Sequence, residues 1–165
     1  MTDELRHQRN AVKLLELQPV FGARIVHLLS AMEAAGYRPR IQQAYRSLEE
    51  QQQDLAKGVS EVVWSFHNAK NEDGSPAALA VDLLDDDYPT NPRKPYMMRL
   101  AIECRALRLE TGILWGLSEG PRQRLSDAIA AGQSGWVGAV GWDGCHVQPA
   151  DVSLAQAKHG MRPAA

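Results

Sequence analysis

Three residues far apart in the chain, His67, Asp82 and His146, have the types that could do chemistry together. Asp82 sits inside the apolar run Ala77–Leu84, where an ionised carboxylate loses much hydration unless it is paired or bound to a metal. His67 follows Ser65-Phe66, and His146 closes Trp142-Asp143-Gly144-Cys145-His146. Two imidazoles, one carboxylate and an open position for water make the donor set of a catalytic zinc ion. Such an ion generates a nucleophile by lowering the pKa of its water. A further carboxylate must then take and return protons. Asp143, three residues before His146, is placed for that if a tight turn at Gly144 folds it over the metal. Spacing alone leaves a second reading open, in which a buried Asp caps a loop and two unrelated histidines sit in the core. The remaining histidines, His7 and His27 on predicted N-terminal helices and His159 near the tail, read as surface or partly buried residues.

The elements that must position these groups follow from periodicity and punctuation. Leu14, Leu15, Leu17, Phe21, Ile25, Leu28, Leu29 and Met32 recur at three- and four-residue steps. They predict helices near 3–17 and 19–35, with Pro19 between them and Gly36 at the end. Arg38 to Tyr45 reads as a strand. Ser47 and Glu50 form a capping box for a helix running to about Lys57, stopped by Gly58. Val62 to His67 reads as a strand and 68–77 as a turn-rich loop. Ala77–Leu84 has the length of a strand buried on both faces. After a loop over 85–95, helical spacing predicts 95–110, closed by Gly112. The Gly-, Ser- and Gln-rich stretch 118–138 carries a short helix near 121–131. A final strand, 141–148, and a short helix, 150–159, complete the chain. Without βαβ alternation, repeat or second domain, this is a single α+β domain over 1–165, with a flexible tail at 160–165.

Composition excludes several classes. With 165 residues, 44% hydrophobic and 23% charged, the chain suits one globular domain. A net charge of −2 leaves no basic footprint for nucleic acid. No apolar run reaches the roughly 20 residues of a membrane helix. The N-terminal stretch lacks the apolar core of a secretory signal, so the expectation is cytoplasmic synthesis. Cys104 and Cys145 are too few for a disulfide framework. Cys145 neighbours His146 on a predicted strand and should face the opposite side, which argues against a cysteine nucleophile. Asp85-Asp86-Asp87 lacks the glycine and distal glutamate of a calcium loop and reads as a solvated turn. Trp64, Trp115, Trp136 and Trp142 line a substrate groove or serve the core.

Taken in order, Ser65-x-His67, Ala80-x-Asp82 and Asp143-x-x-His146 resemble the Ser-x-His, Ala-x-Asp, (Glu/Asp)-x-x-His pattern of the zinc D-Ala-D-Ala carboxypeptidase and L-alanyl-D-glutamate endopeptidase family. Upstream, Ala44-Tyr45-Arg46-Ser47-Leu48-Glu49-Glu50-Gln51 is similar to that family's Gly-Tyr-Arg-Ser-x-Glu-Glu-Gln segment. Trp115-Gly116 and Trp142 resemble its Trp-Gly…Trp. The likeness runs from about residue 19 to 148. It implies a Hedgehog/DD-peptidase-like fold, with a small antiparallel sheet carrying one zinc ion and packed with N-terminal and central helices. It also implies His67, Asp82 and His146 as ligands, Asp143 as general base and Arg46 as oxyanion stabiliser. Ser65, Tyr45 and Trp142 would support the site or touch substrate.

Two departures stand out. A longer loop, 68–77, precedes Ala78, which takes the place of the family's glycine, and an extra segment, 118–140, separates Trp115-Gly116 from Gly141-Trp142. Both are expected to flank the cleft. The resemblance implies a monomeric endopeptidase on peptidoglycan stem peptides, resembling phage endolysins that a holin-type pore releases to the cell wall. The alternatives are a D-Ala-D-Ala carboxypeptidase or dipeptidase, and a non-catalytic zinc-stabilised wall-binding protein. Intact Asp143 and Arg46 weigh against the last.

Overall fold

A computed structural model describes residues 1–58 and 62–165. In chain order its elements are α1 (Asp3–Leu14), α2 (Pro19–Ala34), β1 (Pro39–Gln43), α3 (Leu48–Ala56), a 3-10 turn (Phe66–Asn68), β2 (Val81–Asp85), α4 (Lys94–Ala106), β3 (Leu109–Gly112), α5 (Glu119–Ala130), β4 (Asp143–Pro149) and α6 (Leu154–Lys158). The four strands form one antiparallel sheet in the order β1-β2-β4-β3. The chain is therefore α+β, and no helix among the described residues is long and apolar enough to cross a membrane.

The core forms where helix and strand periodicities meet. Phe21, Ile25, Leu28 and Met32 place one stripe of α2 against Ile41, Val81, Leu83 and Val147 of the sheet. Gln18 caps α2 by accepting from the Phe21 N–H, and Pro19 fills its first turn, where no N–H is needed. On α4, Tyr96, Leu100 and Cys104 join the same core, and the Tyr96 hydroxyl donates to Leu83 O at 2.9 Å. Met98 and Ala101 face the other way, onto Ile113, Leu125, Ala128 and Ile129. The extra segment 118–140 thus brings its own small core, built by α5 on the far side of α4.

Several expectations change in the structure. Helix α1 stops at Leu14, and its inward residues are Arg6 and Asn10 rather than a leucine stripe. Asn10 donates to Pro39 O and accepts from the Ile41 N–H, so α1 satisfies the open edge of β1 with a side-chain amide. Residues 62–67 form no strand. Asn68 Oδ1 accepts from the Ser65 N–H at 2.7 Å, a local bond that replaces ladder pairing and closes the 3-10 turn. Only Val81–Asp85 of the apolar run pairs as a strand, and its burial alternates, so one face alone is fully buried. Ala77–Leu79 instead threads between two loops, bonding Ala69, Glu16 and Phe66.

Helix α4 ends at Ala106 rather than Glu110. Arg108 adopts φ +54°, the left-handed conformation that reverses the chain into β3. The tail is anchored: Arg162 donates to Lys70 O, and Ala164 O accepts from Arg24, which also pairs with Asp151. Asp85–Asp87 is a solvated turn only in part, with Asp86 and Asp87 in the turn and Asp87 exposed. Asp85 is buried, Asp86 pairs with Arg40 and Arg38, and Asp87 pairs with Arg38.

Candidate metal centre

Asp82 on β2 lies directly opposite His146 on β4 in the antiparallel register. Their side chains therefore stand side by side on the face turned away from α2. His67 reaches the same point from the 3-10 turn, which is fastened to the loop after β1. The Arg46 N–H donates to His67 O, and Asn68 Nδ2 donates to Arg46 O. His67 Nε2 and His146 Nδ1 lie 3.5 Å and 3.3 Å from Asp82 Oδ1. The three donor atoms fall within 4.8 Å of one another.

The far side of each ring is also specified. His67 Nδ1–H donates to Ala44 O at 2.6 Å, because a carbonyl can only accept. His146 Nε2–H donates to Gln148 Oε1 at 3.1 Å. Each ring thereby keeps its other nitrogen facing Asp82, where it donates a hydrogen bond to the carboxylate in the metal-free protein and would offer a lone pair to a bound metal ion. Four-coordinate zinc with bonds of about 2.0–2.2 Å needs donors roughly 3.3–3.6 Å apart along each tetrahedral edge. Both observed edges to Asp82 fall in that range, so the donor set fits a metal ion.

Charge in the site follows the same contacts. Burial works to raise the Asp82 pKa, but hydrogen bonds from His146 and His67 outweigh it and hold the carboxyl well below the usual carboxylate range. For His146, burial opposes charge, yet the Asp82 hydrogen bond prevails and lifts the imidazole above its ordinary value. Asp143 moves the other way. Burial raises its pKa, with the His146 charge pulling weakly in the opposite direction.

Asp143 does not fold over the site through a turn at Gly144, because both residues belong to β4. Residues three apart on a regular strand point to opposite faces. Here the register against β3 jumps, with Thr111 opposite Val147 but Gly112 opposite Asp143. This bulge brings Asp143 and His146 to the same cleft, while Cys145 turns into the main core. Burial there pushes the Cys145 thiol up to about 12, leaving it inert as a nucleophile.

The cleft holds about 950 Å³ and is lined by the three donor residues together with Arg46, Ser65, Asp143, Trp115 and Trp142. Trp115 lies 5.1 Å from the His146 ring and 5.5 Å from Trp142, between centroids. This wall needs its glycines. A Cβ on Gly141 would stand 2.5 Å from Trp115 O, and Gly116 takes φ +76° beneath the Trp142 ring. Arg46 is held by Gln43 and Gln51 and pairs with Asp54 at 3.2 Å. The capping box of α3 fixes the chain just beyond it. Ser65 Oγ reaches Gln51 Oε1 and Asn68 Oδ1.

Some expected residues lie elsewhere. Tyr45 packs against the main core, outside the cleft lining, and Trp64 does likewise. Neither 68–77 nor 118–140 lines the cleft; its far wall is 150–154 and Gln156, leading into α6. His7, His27 and His159 are exposed and distant from the donor triangle. The sequence reading missed Gln148, Glu110, Asp54 and Asn68. For Gln148 a signal existed: two residues beyond His146 on a strand, it must share that residue's face. No protein family's profile matches the chain, and no curated protein matches it.

Proposed function

We propose that this chain is a zinc-dependent peptide hydrolase on a Hedgehog/DD-peptidase-like fold. More specifically, we propose that it cuts peptidoglycan stem peptides at the L-alanyl-D-glutamate bond, as the resemblance of its ordered motifs implies. One observation carries the reading: a His-Asp-His donor triangle, with both edges to Asp82 of tetrahedral length, shares a cleft with Asp143, a partly buried carboxylate that is not one of the donors. Zinc bound by His67, Asp82 and His146 would supply Lewis acidity toward a carbonyl oxygen and a water of lowered pKa.

The protein's own groups do the remaining work. Asp143 takes the proton released as water attacks and returns it to the leaving amine nitrogen. Its raised pKa brings donor and acceptor forms closer to neutral pH, which suits both half-reactions. Arg46 offers planar N–H donors to the carbonyl oxygen as negative charge develops there. Its contacts with Gln43, Gln51 and Asp54 hold the guanidinium in place before substrate arrives. Trp115 and Trp142, tilted 51° to each other, give the substrate backbone an angled apolar wall and shield one side of the site from water.

The test is digestion of purified peptidoglycan by the zinc-loaded chain, with new termini identified by mass spectrometry. New amino-terminal D-glutamate supports the endopeptidase. Release of terminal D-alanine instead assigns the carboxypeptidase reaction. Intact wall material at full zinc occupancy rejects the hydrolase.

A further inference from the structure

The two imidazoles of the donor triangle are secured in unlike ways. His67 leans on a backbone carbonyl, which cannot turn around. His146 leans on the side-chain amide of Gln148, and an amide can rotate to present its NH2 group instead of its oxygen. An NH2 group aimed at Nε2 would favour the opposite tautomer, with the hydrogen on Nδ1, and so block the atom that faces Asp82. Something must fix the rotation. Gln148 Nε2–H donates to Glu110 Oε1 at 2.6 Å, and a carboxylate can only accept.

The antiparallel register makes this contact possible, because Glu110 on β3 stands directly opposite Gln148 on β4. Both side chains line the cleft beside His146. The relay therefore runs from a carboxylate through an amide to an imidazole, and each bond has one allowed direction.

We infer that Glu110 and Gln148 are positioning residues that lock His146 as its Nε2–H tautomer, keeping the Nδ1 lone pair on the metal position. The inference rests on the metal-centre reading above. Neither residue is a ligand or touches a reacting atom. Loss of an outer partner of a ligating histidine typically weakens metal binding about 10–100-fold. A swap should preserve the relay: with Gln148→Glu and Glu110→Gln together, the carboxylate accepts from both His146 and the new amide.

Zinc affinity of the full chain, read by competition with a chromophoric chelator, tests this without any activity measurement. Gln148→Leu should bind zinc about 10–100-fold more weakly than wild type. The Glu110→Gln/Gln148→Glu double variant should recover to within about threefold of wild type. Metal-free thermal melts of the three proteins accompany the titration and separate loss of fold from loss of tautomer. Imidazole nitrogen NMR of the zinc-loaded proteins should show a single Nε2-protonated His146 in wild type and in the double variant. Wild-type affinity in Gln148→Leu overturns the relay while leaving the metal centre standing, as does a double variant no better than Gln148→Leu. A wild-type chain that takes no zinc overturns both.

Discussion

Replacing Asn68 with alanine is the sharpest probe of how the fold builds the site. Asn68 is buried and joins two segments that share no strand pairing. Its Oδ1 accepts from the Ser65 N–H at 2.7 Å, and its Nδ2 donates to Arg46 O at 2.8 Å. The weaker contacts, to Ser65 Oγ at 3.3 Å and Ser47 O at 3.4 Å, can be neglected. Each strong bond contributes about 0.5–1.5 kcal/mol net, and leaving its buried backbone partner unsatisfied raises the cost toward about 1–3 kcal/mol. With both partners only part-buried, the lower half of that range applies, giving about 2–4 kcal/mol in total. At roughly 3 °C per kcal/mol for a chain of this size, the melting midpoint should fall about 6–12 °C. Urea unfolding of metal-free protein reads the free energy directly, with an unchanged slope if the loss is purely energetic. Because Asn68 follows His67 and grips the backbone of Arg46, zinc affinity should fall as well. A destabilisation under about 0.5 kcal/mol would mean that the turn is held by other contacts, and the account of how His67 meets Asp82 would fail.

Asp143→Asn should keep zinc and fold but lose about 10²–10⁴-fold in turnover, measured on a soluble stem peptide; near-normal turnover would exclude Asp143 as the base. Arg46→Lys keeps the charge yet loses the planar donors bonded to Gln43 and Gln51. Its kcat should fall on the order of 10²-fold with zinc content unchanged, whereas a rise in KM alone would make Arg46 a ground-state contact. The Arg24 hydrogen bond holds the Asp151 carboxyl below its ordinary value. The stability it contributes is fully present above the unfolded aspartate pKa of about 3.9 and is lost as pH falls through the lower folded value. Wild type should therefore exceed Arg24→Gln in stability near neutrality, with the gap closing as acid unfolding proceeds; a gap that widens in acid would contradict the pairing.

How much was legible in the sequence depends on which interactions are local. Helix α2 and the capping box of α3 were readable because a 3.6-residue apolar stripe and a Ser–Glu pair three apart announce themselves within one or two turns. Asp82 was readable because a carboxylate inside an apolar run demands a partner, whereas spacing left His67 and His146 open and only the likeness of the ordered motifs joined them to it. The route by which they meet was not readable. Val62–His67 has the composition of a strand, and long-range bonds invisible in composition, among them those of the Asn68 side chain to Ser65 and Arg46, make its end a turn. The end of α4 escaped because Arg108, not a glycine, takes the left-handed conformation. Asp143 and His146 were expected to meet through a turn at Gly144, and the bulge that brings them to one cleft instead arises from pairing between β3 and β4. Helix α1 misled most plainly, since its inward face is polar and its purpose is to close the edge of β1.

The central claim is that His67, Asp82 and His146 form one metal centre. Zinc content and zinc-edge X-ray absorption, measured on the same preparations of wild type, His67→Ala and His146→Ala, test it most directly. The account predicts about one zinc per wild-type chain, with nitrogen and oxygen neighbours at about 2.0–2.2 Å and outer-shell scattering from two imidazoles. Each alanine variant should lose the metal and, because binding is linked to folding, the stability that the metal confers. Wild-type protein that takes no zinc, or an alanine variant that holds it in an unchanged coordination shell, would contradict the account.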